Sequence, residues 1–348
     1  MLWDRIKDLP FHVGDVTMEV AVVPISSEFE RRTTTVHLRP EMGARSEYGD
    51  GIGEDVTYDP AEHEPHRFPW VDLRGTWTLA AFAAHLDAVD LFPAGEPAQK
   101  AYRDYRRWAF ESAALDYALK QNGLNVADAF ERLPQPVRFV SSTRTAIARW
   151  LELYPTLRFK LDATPDWTDA FVAELVELDV VDVIDLKGQY RDTPVDNPAD
   201  PELYRRIVAA FPRAWIEDPA LTPETEAVLE PHRDRVTWDA PIHSWADVEA
   251  LPFRPTCLNC KPSRFGTLER LLEFYERCDQ NGILLYGGGQ FELGAGRGQI
   301  QVLASLFHAD APNDVAPGGF NAPEPRGGLE PTPLAPNLEQ LGFRRGLG

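Results

Sequence analysis

Trp215-Ile216-Glu217-Asp218-Pro219 is a short apolar run that ends in a carboxylate and is closed by a proline two residues later. Aromatic and β-branched residues suit a strand, and proline, which has no N–H to give a neighbour, ends it. One strand–helix step upstream, Val180-Val181-Asp182-Val183-Ile184 runs into Asp185-Leu-Lys-Gly. One step downstream comes Val236-Thr-Trp-Asp239-Ala-Pro. The strand before this group carries Lys160 near its end, in Leu157-Arg-Phe-Lys-Leu-Asp162, and the strand after it ends in Lys261, in Thr256-Cys-Leu-Asn-Cys-Lys. Five successive strands thus deliver lysine, acid, acid, acid, lysine.

The rhythm around this group predicts the fold. From Pro136 onward, strands are expected at 137–141, 158–162, 181–186, 214–217, 236–239, 256–261 and 283–286. Helical patterns alternate with them at 145–153, 167–178, 201–211, 223–229, 245–251, 268–278 and 298–307. Such alternation calls for a parallel sheet covered by helices, and seven or eight units close it as a barrel. An open doubly wound sheet is the competitor, but it would gather its site at one switch point rather than at consecutive strand ends. The expected class is therefore α/β, a (β/α)7β barrel over residues 136–318.

Residues 1–135 read as an α+β domain capping that barrel. Strands are expected at 16–23 and 33–39, a polar loop at 26–32, a glycine turn at 50–55 and a surface connection rich in His and Pro at 62–69. Helices are expected at 76–86 and 109–120, the second stopped by Asn122-Gly123. Residues 319–348 form a tail rich in proline and glycine that packs on the surface.

Composition narrows the class of partner. The 348 residues carry a formal charge of −20, so no basic surplus exists to neutralise phosphates. Nucleic acid and anionic membranes are excluded as partners on that ground. Three cysteines, Cys257, Cys260 and Cys278, are too few and too clustered for a disulfide framework. On a strand, Cys257 and Cys260 point to opposite faces, which argues against a zinc or redox pair. No stretch approaches the roughly 20 apolar residues of a membrane span, and the first residues lack a signal-peptide core. A cytoplasmic, reduced setting is expected, with homo-oligomerisation left open.

Side chains alternate along a strand, so Arg158, Lys160 and Asp162 are expected on one face, as are Asp185 and Lys187, and likewise Asn259 and Lys261. Three acids meeting in one pocket repel and raise one another's pKa unless a cation neutralises them, and an oxygen-rich set suits magnesium. The same cation would disfavour the ammonium forms of Lys160 and Lys261, making a neutral lysine base accessible. A lysine–carboxylate network that only closes the barrel top is the alternative.

The specific motifs are Arg158-Phe-Lys160-Leu-Asp162-Ala, Ile216-Glu217-Asp218-Pro219, Trp238-Asp239, Lys261-Pro-Ser-Arg-Phe-Gly266 and Gly287-Gly-Gly-Gln-Phe-Glu292, preceded by Gly51-Ile-Gly53-Glu54 and Phe110-Glu-Ser-Ala-Ala-Leu-Asp116. Together they resemble the enolase superfamily, nearest its muconate-lactonizing-enzyme subgroup, over nearly the whole chain. The resemblance implies Mg2+ bound by Asp185, Glu217 and Asp239. It implies removal of the proton α to the carboxylate of a small-molecule substrate through a metal-stabilised enolate, with Lys160 and Lys261 as the acid/base pair. Glu292, Arg158 and Asn259 would face the substrate, and the loops at 26–32 and 51–56 would close over it. Asp162 reads as structural, Asp218 as a support for the ligands and His243 as a loop histidine.

Three departures stand out. The family's Lys-x-Lys is Arg158-Phe-Lys160 here, its Asp-x-Asn is Asp185-Leu-Lys187, and Asn313-Asp314 replaces the Asp-x-Asp of dipeptide epimerases. The implied reaction is β-elimination, as in o-succinylbenzoate synthase, or cycloisomerisation. Racemisation or epimerisation of an N-acyl amino acid is the alternative, and a non-catalytic binding barrel is a third reading.

Overall fold

Short strands and amphipathic helices alternate through the last two thirds of the chain, in the order the periodicity predicts. The computed structural model describes residues 1–348 except 26–29, 42–47, 70, 144–145, 191–192, 194, 321, 323, 338 and 346–348.

The N-terminal domain holds two antiparallel sheets. Strand β1 (Pro10–Val13) pairs with β5 (Gly75–Thr78), while β2 (Asp15–Pro24), β3 (Glu30–Arg39) and β4 (Gly51–Asp55) form a meander. The 21-residue helix Ala101–Gln121 lies across β4. A Cβ on Gly53 would fall 2.0 Å from the Ala109 carbonyl oxygen, and one on Gly51 would fall 2.2 Å from Tyr117 Cβ. The 50–55 glycines, expected as a turn, thus serve close approach of a strand to a helix.

Two further expectations are corrected here. Residues 75–78 are strand, and helix begins only at Leu79, where the Thr78 hydroxyl accepts the Ala81 N–H at 3.2 Å. The 62–69 segment is not simply a surface connection, because Glu62 and His63 are buried, within the 3-10 turn Pro60–His63.

In the C-terminal domain, β6 (Val140–Ser142), β7 (Arg158–Asp162), β8 (Val181–Asp185), β9 (Trp215–Glu217) and β10 (Val236–Thr237) form one parallel sheet in sequence order. A second parallel pair joins β11 (Cys257–Cys260) to β12 (Leu284–Gly287). No continuous ladder closes the ring among the described residues. Single hydrogen bonds carry the circuit instead, from Asn259 N–H to the Trp238 carbonyl at 3.0 Å, from Asp314 N–H to Gly287 at 2.8 Å, and from Val140 N–H to Asn313 at 2.8 Å. The eighth position of the expected barrel is thus filled by Asn313 and Asp314, each making an isolated parallel bridge. Register places Asp162 beside Asp185 and Asp185 beside Glu217, so the carboxylates end their strands in one layer.

Helices cover the outside, and four of them are capped at the N-terminus by the residues such positions favour. Thr168, Asp200, Thr222 and Thr267 each accept backbone N–H groups of the first turn. The tail folds back on both domains, with Leu334 pairing with Val137 and Gly342 N–H bonded to the Leu124 carbonyl at 2.9 Å. One apolar core runs through both domains and includes Leu334 and Phe343 of the tail. Among the described residues, no helix is long and apolar enough to cross a membrane.

Candidate active site

The C-terminal strand ends meet in a buried cluster of acids and cations. Lys160, 2% exposed, points its ammonium at Glu217 Oε1 and lies 3.7 Å from Asp185 Oδ2. Glu217, wholly buried, also accepts the Tyr286 hydroxyl, and Asn259 Nδ2 stands 3.4 Å from its Oε2. Asp185 accepts its own loop's Lys187 N–H at 2.9 Å, and the Lys187 ammonium caps its Oδ2.

Asp239, on the next strand end, is held from three sides. Lys261 Nζ lies 2.8 Å from Oδ2, Arg264 Nη1 lies 2.7 Å from Oδ1, and the Tyr190 hydroxyl donates to Oδ2 at 2.8 Å. Asp218 adopts a left-handed backbone, φ 48°, just after β9. That turn lets both its oxygens accept N–H groups at 2.8 Å, from Asp239 and from Ala240. Pro219 follows, which explains how the local sequence ends the strand and reverses the side chain.

Protonation follows from this arrangement. Burial, opposed in part by Lys160, and the charges of Asp185, Asp239 and Asp218 push Glu217 up to about 8. Burial and the neighbouring carboxylates Asp239 and Asp185 push Asp218 up to about 7. Burial works against the ammonium of Lys160, yet Glu217, Asp185 and Asp239 outweigh it and hold its pKa well above the ordinary lysine value. Asp239 goes the other way: burial is overcome by Arg264, Lys261 and Lys160, which keep it well below the usual carboxylate range.

A divalent cation suits this donor set. Carboxylate oxygens of Asp185, Glu217 and Asp218 lie within 4.8 Å of one another, and all three residues are buried. Hard anionic oxygens converging from adjacent strands are the ligands that magnesium or calcium takes. Asp239 belongs to the same cluster, but its oxygens are shared among Lys261, Arg264 and Tyr190.

The remaining expected site residues are divided. Asn259 joins the cluster through Glu217. Glu292 stands apart from the acids, accepting Gln290 N–H at 2.7 Å and lying 3.3 Å from Arg297 Nη2. Arg158 does not join the cluster. Its Nε meets Asp182 Oδ1 at 2.6 Å and its Nη1 the Asp179 carbonyl at 2.9 Å. The physical reason is position along the strand: Arg158 opens β7, about 6–7 Å before Lys160, and its guanidinium meets Asp179 and Asp182 at the start of β8, where the pairing steps from Val181 to Val183 and leaves Asp182 out of the ladder. His243 stands 3.3 Å from the Arg264 carbonyl and outside the cluster. Lys187 was legible as a departure on the strand-end face. Arg264, Tyr190 and Tyr286 were not singled out, because their side chains reach the cluster from loops or from neutral strand positions.

The N-terminal domain is tied to the segment that follows β12. Arg31, fully buried, donates to the carbonyls of Val56 and Thr57 on its own domain and of Gln290 and Phe291 on the barrel. Glu54 accepts the N–H groups of Leu293, Gly294 and Gly296 at the start of the helix Ala295–Phe307, where an anion is favoured. Tyr58 and Tyr105 hydrogen-bond the two ends of the Gln290 amide at 3.2 and 3.0 Å. Of the expected closing loop at 26–32, residues 26–29 lie outside the described residues and 30–32 belong to β3.

Comparison with known proteins agrees with this architecture. The chain resembles an enolase-superfamily protein from Listeria innocua at 19% identity and TM-score 0.62, with 96% of this chain and 92% of that chain covered. It resembles the muconate lactonizing enzyme of Pseudomonas putida at 18% identity and TM-score 0.62, over 95% and 94% of the two chains. A dipeptide epimerase from Methylococcus capsulatus, complexed with Mg ion, matches at 18% identity and TM-score 0.61, over 90% and 92%. No curated protein matches. Two family models match end to end, the N-terminal domain of a domain of unknown function, DUF8230, over residues 4–129 and its C-terminal domain over residues 133–322. The chain therefore belongs to the DUF8230 family and is built on the fold of the enolase superfamily.

Proposed function

We propose that this protein is an enzyme that removes the proton α to the carboxylate of a small organic acid, with Lys160 and Lys261 as its acid/base pair. The observation that carries the reading is that two buried lysines flank one acidic cluster, each paired to a different carboxylate, Lys160 to Glu217 and Lys261 to Asp239. Asp185, Glu217 and Asp239 would hold a magnesium ion, with Asp218 bracing the Asp239 turn through its two N–H bonds. The bound cation would supply positive charge beside the substrate carboxylate and so acidify its α-C–H.

Within the chain, the lysines do the proton transfer. The charges that keep Lys160 protonated are Glu217, Asp185 and Asp239. Once those carboxylates are neutralised, their hold on its proton lapses and burial favours the free amine, which is then a competent base. Arg264 stays charged and, with the Tyr190 hydroxyl, anchors Asp239, keeping that strand end in place. Arg31 and Glu54 fix the cap over the mouth and keep water from the exposed α-carbon.

Elimination or cycloisomerisation fits better than dipeptide epimerisation. The resemblance puts Asn313-Asp314 in place of the Asp-x-Asp of dipeptide epimerases, and the Asn313 side chain is consumed internally. Its Oδ1 accepts Gly287 N–H at 2.7 Å and meets His308, while its Nδ2 donates to Arg138, His308 and Ala311 carbonyls.

The test is deuterium incorporation from solvent into a panel of carboxylic and N-acyl amino acids with magnesium present. Exchange is expected with at least one acid, and Lys160→Ala and Lys261→Ala should each reduce it by about 10²–10⁴-fold. Silence of the native protein toward every acid would favour the binding-barrel reading instead.

A further inference from the structure

A divalent cation that enters the cluster competes with the resident cations for its carboxylates. Among the described residues, Asp185 is met by Lys160 and Lys187, Glu217 by Lys160, and Asp239 by Lys261 and Arg264, while Asp218 accepts only backbone N–H groups. Two added positive charges beside these buried cations would meet strong repulsion, because low local polarity magnifies each like-charge contact. The four cations are not equally placed to yield. Side-chain exposure is 2% for Lys160, 5% for Arg264 and 10% for Lys261, but 17% for Lys187.

Lys187 is also the cation with somewhere to go. Its Nζ caps Asp185 Oδ2 and already stands 3.5 Å from Asp162 Oδ1, at the end of the neighbouring strand. The Tyr190 ring lies 4.9 Å from the same nitrogen and offers its face to a cation. Its backbone sits in the left-handed region at φ 53°, so the residue belongs to the turn after β8 and not to the strand itself. Lysine, a flexible stem with a point charge, can exchange one carboxylate for another without moving the main chain.

We infer that Lys187 is a tethered counter-ion that competes with the divalent cation for Asp185 and moves to Asp162 when the cation binds. Lys187 thereby sets the metal affinity of the site and keeps its acids together while the metal is absent. The inference rests on the proposed metal site, and it concerns the affinity of that site, not the reaction.

The experiment is a double-mutant cycle of Mg2+ affinity by calorimetry on the full chain, with Lys187→Gln, Asp162→Asn and both together. Lys187→Gln should tighten Mg2+ binding by about tenfold or more, since one competing charge is gone. Asp162→Asn should weaken it in the native background and lose most of that effect beside Lys187→Gln. Thermal melting supplies a readout independent of activity: metal-free Lys187→Gln should melt below the metal-free native protein, and added Mg2+ should restore it. Native protein that binds Mg2+ with an affinity untouched by Lys187→Gln overturns the tethered role while leaving the metal site standing. Additive effects of the two substitutions overturn the transfer to Asp162. Absence of Mg2+ binding in every variant removes the metal site and this role with it.

Discussion

Two buried ion clusters, one in the capping domain and one at the barrel mouth, are built from the same residue types and differ in how completely they are satisfied. In the cap, Arg106 is fully buried, with Nε 2.8 Å from Asp55 Oδ2 and its other N–H groups on the carbonyls of Leu91 at 2.9 Å and Glu62 at 2.7 Å. Phe68 and Phe92 cover its faces at 4.4 and 3.9 Å. The second Asp55 oxygen takes the Thr57 N–H and hydroxyl at 2.9 and 2.6 Å. Although burial opposes it, Arg106 and His63 keep Asp55 below its ordinary value. At the mouth, by contrast, no cation contacts Asp218 among the described residues, and Glu217 is pushed up to about 8. A network in which every charge is matched holds a fold together. One that leaves acids short of positive charge is waiting for a ligand.

That contrast can be broken most forcefully at Arg106. Arg106→Leu leaves Asp55 buried without its partner and should lower stability by about 3–5 kcal/mol in chemical denaturation. Mg2+ affinity of the protein that remains folded should not change. An equal loss of metal affinity would mean that the two clusters are not independent.

A smaller effect separates them by pH. Glu217 titrates near 4.5 when unfolded and about 8 in the metal-free fold, so the folded state holds the proton more tightly. The stability this confers is full at acid pH, declines as pH rises above the unfolded value, and is gone once pH passes about 8. Asp55, depressed in the fold, gives the opposite sign, with stability lost only as pH falls below the ordinary carboxylate range. Melting of chelated protein should therefore drop between pH 5 and pH 9, and Glu217→Gln should flatten that decline while leaving the acid limb unchanged.

The smallest effect is expected at Arg158, whose ion pair with Asp182 is about a third exposed on the arginine side. Arg158→Ala should cost about 0–1 kcal/mol and leave deuterium exchange unaltered. A large loss of exchange would place the side chain in the mouth after all.

Much of the fold was legible because strand and helix periods differ and because proline and glycine punctuate them. The acids at 185, 217 and 239 stood out since each closes an apolar run of strand length. Legibility failed where one local signal serves two purposes. Gly51 and Gly53 read as a turn, yet they exist to let β4 approach the long helix, with Ala109 and Tyr117 against the backbone. Glu62 and His63 read as exposed, but Arg106 and Thr34 draw them inward. Arg158 followed strand alternation on paper, but it opens β7, where Asp182, left out of the β7–β8 ladder, takes its guanidinium.

The order of residues alone determined the repeating strand–helix units, the strand-end position of the lysines and acids, and the absence of basic surplus, because these depend only on local period and composition. Which charges meet was decided by the tertiary structure. Asp218 reaches the cluster through a left-handed turn, Arg264 and Tyr190 arrive from loops, and Lys187 stands between Asp185 and Asp162. Pairings of this kind depend on distances between strands brought together by folding, and charge interactions change steeply over a few ångströms in a buried site.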